Sequence, residues 1–195
     1  MGRNGALSAR LYDPLLRTVL RPLRHVVLEN MPAAKDSDIL DLCCGTGDQL
    51  ILLASKGFTC LHGVDLSADM LKVAAKSVFP ISFHLSDARS APFSDGSFDI
   101  IIISLALHEK DPDTRELVLR EAVRLLRPNG RLFIADFFFD PKTLFPGKWI
   151  ITFVERMAGG EHWTNFRDYI QRGGIPHIIP GDVLKIVDTP RLMMN

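Results

Sequence analysis

The sequence predicts a single α/β domain, a doubly wound, mostly parallel sheet flanked by helices. Three observations predict it. Short apolar segments alternate with amphipathic helical ones between residues 38 and 137. Turns bearing glycine, proline or asparagine separate them, and acidic residues close the second and third apolar segments at Asp65 and Asp87. Alternation at this spacing is the mark of strand–helix–strand units, whose parallel sheets bind ligands beyond the carboxyl ends of their strands.

Taken in order, Leu15, Leu16, Val19, Leu20, Leu23, Val26 and Val27 recur at helical spacing, so an amphipathic helix is expected up to about Asn30, broken by Met31-Pro32. Residues 38–42 read as a strand and residues 49–56 as a helix closed by Gly57. Residues 60–64 form the second expected strand. Ser67 is placed to cap a helix over 68–77. A strand is expected at 81–85, and 98–105 is almost wholly apolar and β-branched, as suits a central strand buried on both faces. Asp111-Pro112 opens a helix with a cap and a first-turn proline. That helix should run to Leu126, turn over 127–130, and lead into a strand at 131–137. Beyond Asp140 the pattern loosens: helical segments at 149–157 and 163–172 surround the breaker Ala158-Gly159-Gly160, and 183–188 reads as a late strand.

Composition narrows the function classes. The 195 residues suit one domain of the usual ~100–200. Lys plus Arg and Asp plus Glu number 23 each, so the chain lacks the excess positive charge of a protein built to grip nucleic acid. Cys43, Cys44 and Cys60 are too few and too close for a disulfide framework, and neither Cys-x-x-Cys nor a histidine pair at metal-ligand spacing occurs, so no metal is expected. Reduced thiols, no stretch near the ~20 apolar residues of a membrane span and no cleavable leader point to a cytoplasmic protein.

The first chemical signal is Asp41-Leu42-Cys43-Cys44-Gly45-Thr46-Gly47-Asp48, between the first strand and its helix. Small residues there let backbone approach a ligand closely and expose amides, although a turn chosen only for strand-to-helix geometry would look similar. Asp65 lies 24 residues after Asp41, where an acid can accept hydrogen bonds from ribose hydroxyls. Its alternative is to cap the next helix, a role Ser67 already suits. Asp87-Ala88, after the third strand, could read the edge of an adenine. Phe98-Asp99 enters the fourth strand, which ends at Ser104-Leu105-Ala106-Leu107-His108-Glu109.

Together, residues 40–48, 63–71, 87–93, 98–108 and 125–137 resemble the class I S-adenosylmethionine-dependent methyltransferases, in particular the broad ubiquinone and menaquinone biosynthesis methyltransferase-like group. The resemblance spans residues 15–137 and implies a Rossmann-like fold, S-adenosyl-L-methionine as cofactor, and a small-molecule methyl acceptor. It places Asp41, Cys43, Gly45 and Gly47 around the cofactor's methionine end and Asp65 on its ribose. Leu66 and Met70 would pack on the adenine, Asp87-Ala88 would read its edge, Ser104 would lie near the amino group, and Tyr12 would cover the cofactor. It divides the single domain 1–195 into a helical region at 1–37, a cofactor-binding core at 38–139, and an acceptor-side lid with C-terminal strands at 140–195. A monomer or homodimer is expected. Cys43 stands where this group often has its first loop glycine, implying a slightly altered turn. The longer signatures of the quinone enzymes are missing, which weighs against a quinone acceptor.

Within that resemblance His108, just past the fourth strand, is the candidate general base, and Glu109 could orient it or meet a cationic acceptor. A histidine bracing the loop is the alternative. His162, Trp163 and Arg167 fall where acceptor lids form. Arg10, Arg17, Arg21 and Arg24 read as the solvated face of the first helix or as an anion strip. Phe137, Phe138, Phe139, Phe145, Trp149 and Phe153 read as core or as an apolar pocket wall. A nicotinamide-dependent oxidoreductase would want a small last residue in Gly-x-Gly-x-x-Gly, where Leu50 stands. A cofactor-binding scaffold without activity is the other alternative.

Overall fold

The computed structural model describes residues 20–138, 152, 155, 156, 159–179, 181 and 184. Tyr12, Arg10, Arg17, Phe139, Phe145, Trp149, Phe153 and most of the expected late strand lie outside the described residues. The chain runs through α1 (Arg21–Asn30), β1 (Ile39–Leu42), α2 (Asp48–Ser55), β2 (Leu61–Asp65), α3 (Ala68–Ala74), β3 (Ser82–Leu85), β4 (Phe98–Ser104), α4 (Pro112–Leu125), β5 (Leu126–Ala135), α5 (Gly160–Gln171) and α6 (Ile175–Ile178). The five strands form one sheet in the order β3-β2-β1-β4-β5, every neighbouring pair parallel. Strand order reverses between β1 and β4, and at such a switch point the loops leaving the two strands diverge to opposite faces and open a crevice.

Side chains alternate across a strand, so each central strand must supply apolar groups to both faces. Leu40 and Leu42 of β1 and Ile101 and Ile103 of β4 pack with Val118, Leu119, Ala122 and Leu125 of α4 and with Tyr169 of α5. Ile39, Ile100 and Ile102 face the other way, onto Val27 of α1 and Leu50 and Leu53 of α2. Each such leucine or isoleucine, wholly buried, contributes on the order of 1.5–3 kcal/mol. Local signals act as expected: Ser67 Oγ accepts from the Met70 amide at 3.3 Å, and Asp111 caps α4 by accepting from the Thr114 amide at 3.0 Å.

Two expectations change. The expected turn over 127–130 lies inside β5, because Leu126 already pairs with Phe98 before the register jumps to Arg131 opposite Ile100. Asn129 absorbs the excess chain at a positive φ of 68°. In α1, Arg24 leaves the solvated face: its guanidinium lies 3.1 Å from the buried Asp48 carboxylate of α2.

Candidate functional site

The loop after β1 is built from left-handed turns. Cys43 (φ 65°), Gly45 (φ 54°) and Gly47 (φ 74°) all have positive φ. Gly47 is obligatory for a second reason, since a Cβ there would lie 2.8 Å from Phe83 Cζ of β3. Gly45 differs: a Cβ there would meet nothing within 4 Å, so its flank is open. Cys43 adopts the left-handed turn despite its side chain, at a cost of about 1–2 kcal/mol. Burial pushes its thiol up to about 12, so it stays a neutral thiol at physiological pH and is no nucleophile. Under the loop Asp41 is almost wholly buried, and its Oδ1 has no hydrogen-bond partner. Burial pushes that carboxyl up to about 8, the charge of Asp65 adding to the effect and Arg24 opposing it.

Asp65, at the end of β2, ties the loop to the sheet. Its Oδ2 accepts from the Gly45 amide and its Oδ1 from the Ser67 amide, both at 2.8 Å. Two carboxylate oxygens offer about four lone-pair sites, so each keeps one for a further donor. Beside it Leu66 is 72% exposed, an unusual amount for leucine at a strand end, and Met70 is half-buried. At the end of β3, Ala88 is buried. Asp87 is gripped by Arg89 through Nε at 3.0 Å and Nη2 at 2.6 Å to Oδ2. This hydrogen bonding holds the Asp87 carboxyl below its ordinary value.

On the other side of the switch point β4 ends at half-buried Ser104, and Leu105 takes a positive φ of 52°. That is a strained conformation for a bulky residue, anchored by the Leu105 amide donating to the Ala135 carbonyl at 2.7 Å. The turn drives Leu107 and His108 beneath Asp136, which follows β5. Asp136 Oδ2 accepts from the Leu107 and His108 amides, and His108 Nδ1 lies 2.7 Å from Asp136 Oδ1. His108 Nε2 lies 3.7 Å from Glu155 Oε2, and Glu155 Oε2 also meets His162 Nε2 of α5. Burial disfavours the charged imidazole of His108, but Asp136, Glu155 and Glu109 outweigh it and lift the group above its ordinary value. Glu109 is exposed and pairs with Lys110 at 3.1 Å. His108 is therefore a buried, doubly engaged side chain and does not stand free at the rim. Arg167 is exposed.

Arg115 holds α5 against the rim. It is fully buried, with Nε donating to the Leu107 carbonyl at 3.0 Å, Nη1 to Asp168 and Nη2 to the Asn165 carbonyl, each at 2.6 Å. Asn165 Nδ2 donates to the Glu109 carbonyl at 2.9 Å. Phe137 packs on His108, while Trp163 stacks on buried Phe166.

Residues 39–130, the span from β1 into β5, match a family described as a methyltransferase domain. An uncharacterized methyltransferase of Synechocystis is 29% identical over 176 residues, covering 83% of this chain and 82% of its own. The demethylmenaquinone methyltransferase of Beutenbergia cavernae is 34% identical over 158 residues, covering 77% of this chain and 64% of its own. The PH0226 protein of Pyrococcus horikoshii superposes with a TM-score of 0.56 at 29% identity, over 61% of this chain and 57% of that one. The chain thus resembles the class I S-adenosylmethionine-dependent methyltransferases, the class these similarities support. It spans 64% of the Beutenbergia enzyme and 50% of the Listeria demethylmenaquinone methyltransferases it also matches.

The residues at the switch point fit the cofactor that this methyltransferase family uses. A buried acceptor without a donor at Asp41, an open flank at Gly45 and an exposed leucine at Leu66 are three incomplete features along one edge. Asp87 fits less well, because both its oxygens are engaged by Arg89. Sequence reading missed Asp136, Glu155 and Arg115. Asp136 had a signal: like Asp65 and Asp87 it lies at the carboxyl end of a parallel strand, but the expected strand at 131–137 swallowed it.

Proposed function

We propose that this chain transfers the methyl group of S-adenosylmethionine to a small-molecule acceptor approaching the carboxyl ends of β4 and β5. The observation that carries the reading is the left-handed loop at Cys43, Gly45 and Gly47, pinned open by Asp65 at the sheet's switch point. Bound there, the cofactor supplies a sulfonium whose methyl group is already electrophilic.

The chain's own residues would bind and position. Asp41 would take the cationic amino group onto its unpartnered Oδ1, and Asp65 would accept the ribose hydroxyls on its remaining lone pairs. Leu66 and Met70 would cover the adenine. The backbone around Ser104 would set the distance to the rim. Arg115 keeps α5 closed over the rim loop, which would exclude water, and holding acceptor and methyl carbon in line supplies much of the rate. His108, braced by Asp136, would shape the acceptor side as a positioning residue.

Calorimetry with S-adenosylmethionine, its demethylated product and NAD tests the binding half. Transfer of a labelled methyl group into a small-molecule extract tests the chemistry. Tight NAD binding with no response to the sulfonium overturns the assignment, and cofactor binding without any labelled product overturns the enzymatic reading.

A further inference from the structure

His108, Glu155 and His162 converge from three separate segments: the loop after β4, the stretch before α5, and the first turn of α5. One ligand-capable atom from each lies within 4.8 Å of the others. Sequence spacing hides this set, because 47 residues part His108 from Glu155. Glu155 and His108 are buried, while His162 keeps 26% of its side chain exposed and offers a way in. A buried carboxylate shared by two imidazoles needs a positive charge beside it, which either a proton on an imidazole or a metal ion supplies.

The surroundings point the same way. Ligating histidines almost always donate their other ring nitrogen to a carboxylate or carbonyl, which fixes the tautomer and raises ligand basicity. His108 has that partner: its Nδ1 is 2.7 Å from Asp136, itself fixed by two backbone amides. His162 Nδ1 faces Glu109 Oε2 at 3.6 Å, near enough for charge attraction but beyond a hydrogen bond. Each Nε2 is left directed at Glu155. In a tetrahedral site with bonds of ~2.0–2.1 Å the donor atoms stand roughly 3.3–3.5 Å apart. The 3.7 Å between His108 Nε2 and Glu155 Oε2 is close to that spacing.

We infer that His108 Nε2, His162 Nε2 and a Glu155 carboxylate oxygen form a binding site for a divalent transition metal of the zinc class. Asp136 orients the His108 imidazole from behind, and Glu109 lies beside His162. Two histidines and one glutamate form a zinc ligand set that leaves a fourth position open. Phe137 and Phe166 pack against the His108 ring, and the fourth position would take water or an oxygen of a small molecule. Imidazole donors suit zinc, cobalt, nickel and iron, whereas magnesium and calcium prefer oxygen cages, so the site discriminates against the latter two. The site rests on these residues alone and is independent of the methyl-transfer reading.

The test is a cobalt(II) titration of tag-free, chelator-stripped full-length protein, read by its visible absorption, with zinc competition and melting curves alongside. The expected result is one cobalt per chain, displaced by one equivalent of zinc, and a melting temperature raised by zinc but not by magnesium. His162→Ala, at the partly exposed position, should lower cobalt affinity at least ten-fold while keeping a cooperative melt. Asp136→Asn should weaken it by roughly 10–100-fold, the usual effect of losing an outer carboxylate. His108→Ala should abolish the bands. Absence of stoichiometric cobalt binding overturns the inference, as do thiolate bands that place the metal on Cys43, Cys44 or Cys60. So does affinity that survives both histidine replacements.

Discussion

Asp41 makes the sharpest prediction, because its burial and missing partner set both a stability effect and a binding effect. With the carboxyl pushed up to about 8 by burial and by Asp65, the free protein at pH 7 holds Asp41 mostly protonated. The folded value lies above the unfolded one. The stability this group contributes is therefore fully present below about pH 4 and is lost progressively as pH rises to about 8. Asn is a neutral stand-in for the protonated carboxyl, so Asp41→Asn should melt close to the wild type below about pH 4 and increasingly above it toward pH 8. A cationic ligand group reverses the preference. Ionising Asp41 costs RT ln(1 + 10^(8−pH)), about 2.7 kcal/mol at pH 6 and about 0.4 kcal/mol at pH 8. Affinity for the demethylated cofactor should therefore climb roughly fifty-fold between those pH values. Calorimetry in buffers of different ionisation enthalpy should detect a proton released on binding at pH 7. Asp41→Asn retains every other titration, the ligand's included, and should bind with a much flatter profile and no such proton. A wild-type affinity that is flat from pH 6 to 8, or a mutant with the same slope, refutes the reasoning.

Three further outcomes are expected. Gly47→Ala would force a side chain into a left-handed turn and against Phe83 Cζ at 2.8 Å; urea unfolding should show a loss of about 2–4 kcal/mol from strain and overlap together. Asp65→Ala should weaken cofactor binding by about 1–3 kcal/mol, and calorimetry should find it weaker than the wild type at every pH. It should also lower the melting temperature, because the Gly45 and Ser67 amides lose their acceptor. Arg115→Ala leaves the Leu107 and Asn165 carbonyls without their donor and Asp168 with Arg172 alone, and thermal unfolding should register a loss of about 2–4 kcal/mol from the unpaired carbonyls.

The sheet was legible because its strands are buried on both faces. Leu40, Leu42 and the run Ile100 to Ile103 can satisfy two apolar layers only as central strands, and the caps Ser67 and Asp111 mark helix starts by local chemistry alone. The loop at Gly45 and Gly47 and the acid at Asp65 were legible for the same reason: left-handed turns and strand ends leave a sequence trace within a few residues. The pairing of β5 was not. Its bulge at Asn129 depends on β4 accepting Leu126 across a register jump. The grouping around His108 was illegible in principle. His162 comes to it on α5, which Arg115 clamps to the Leu107 carbonyl, a contact no periodicity encodes. Asp87 was read for what it could accept, whereas Arg89 two residues on takes both its oxygens.

Costly features of this molecule concentrate at the carboxyl ends of its strands. Cys43 and Leu105 carry left-handed strain on the two sides of the switch point, each at about 1–2 kcal/mol. Asp41, His108, Arg115 and Glu155 are buried polar groups in the same region, where desolvation is expensive unless each finds a partner. The tolerance comes from what the sheet supplies elsewhere. β1 and β4 are saturated with leucine and isoleucine on both faces, and the strained turns are tied to the neighbouring strands: next to Cys43, the Cys44 amide donates to Val64 of β2, and the Leu105 amide donates to Ala135 of β5. Strain that persists only because its surroundings over-determine it marks positions held for function. Relieving that strain at Leu105 with glycine should therefore loosen the turn that carries His108 to Asp136, so that greater backbone freedom would come at the expense of the site it shapes.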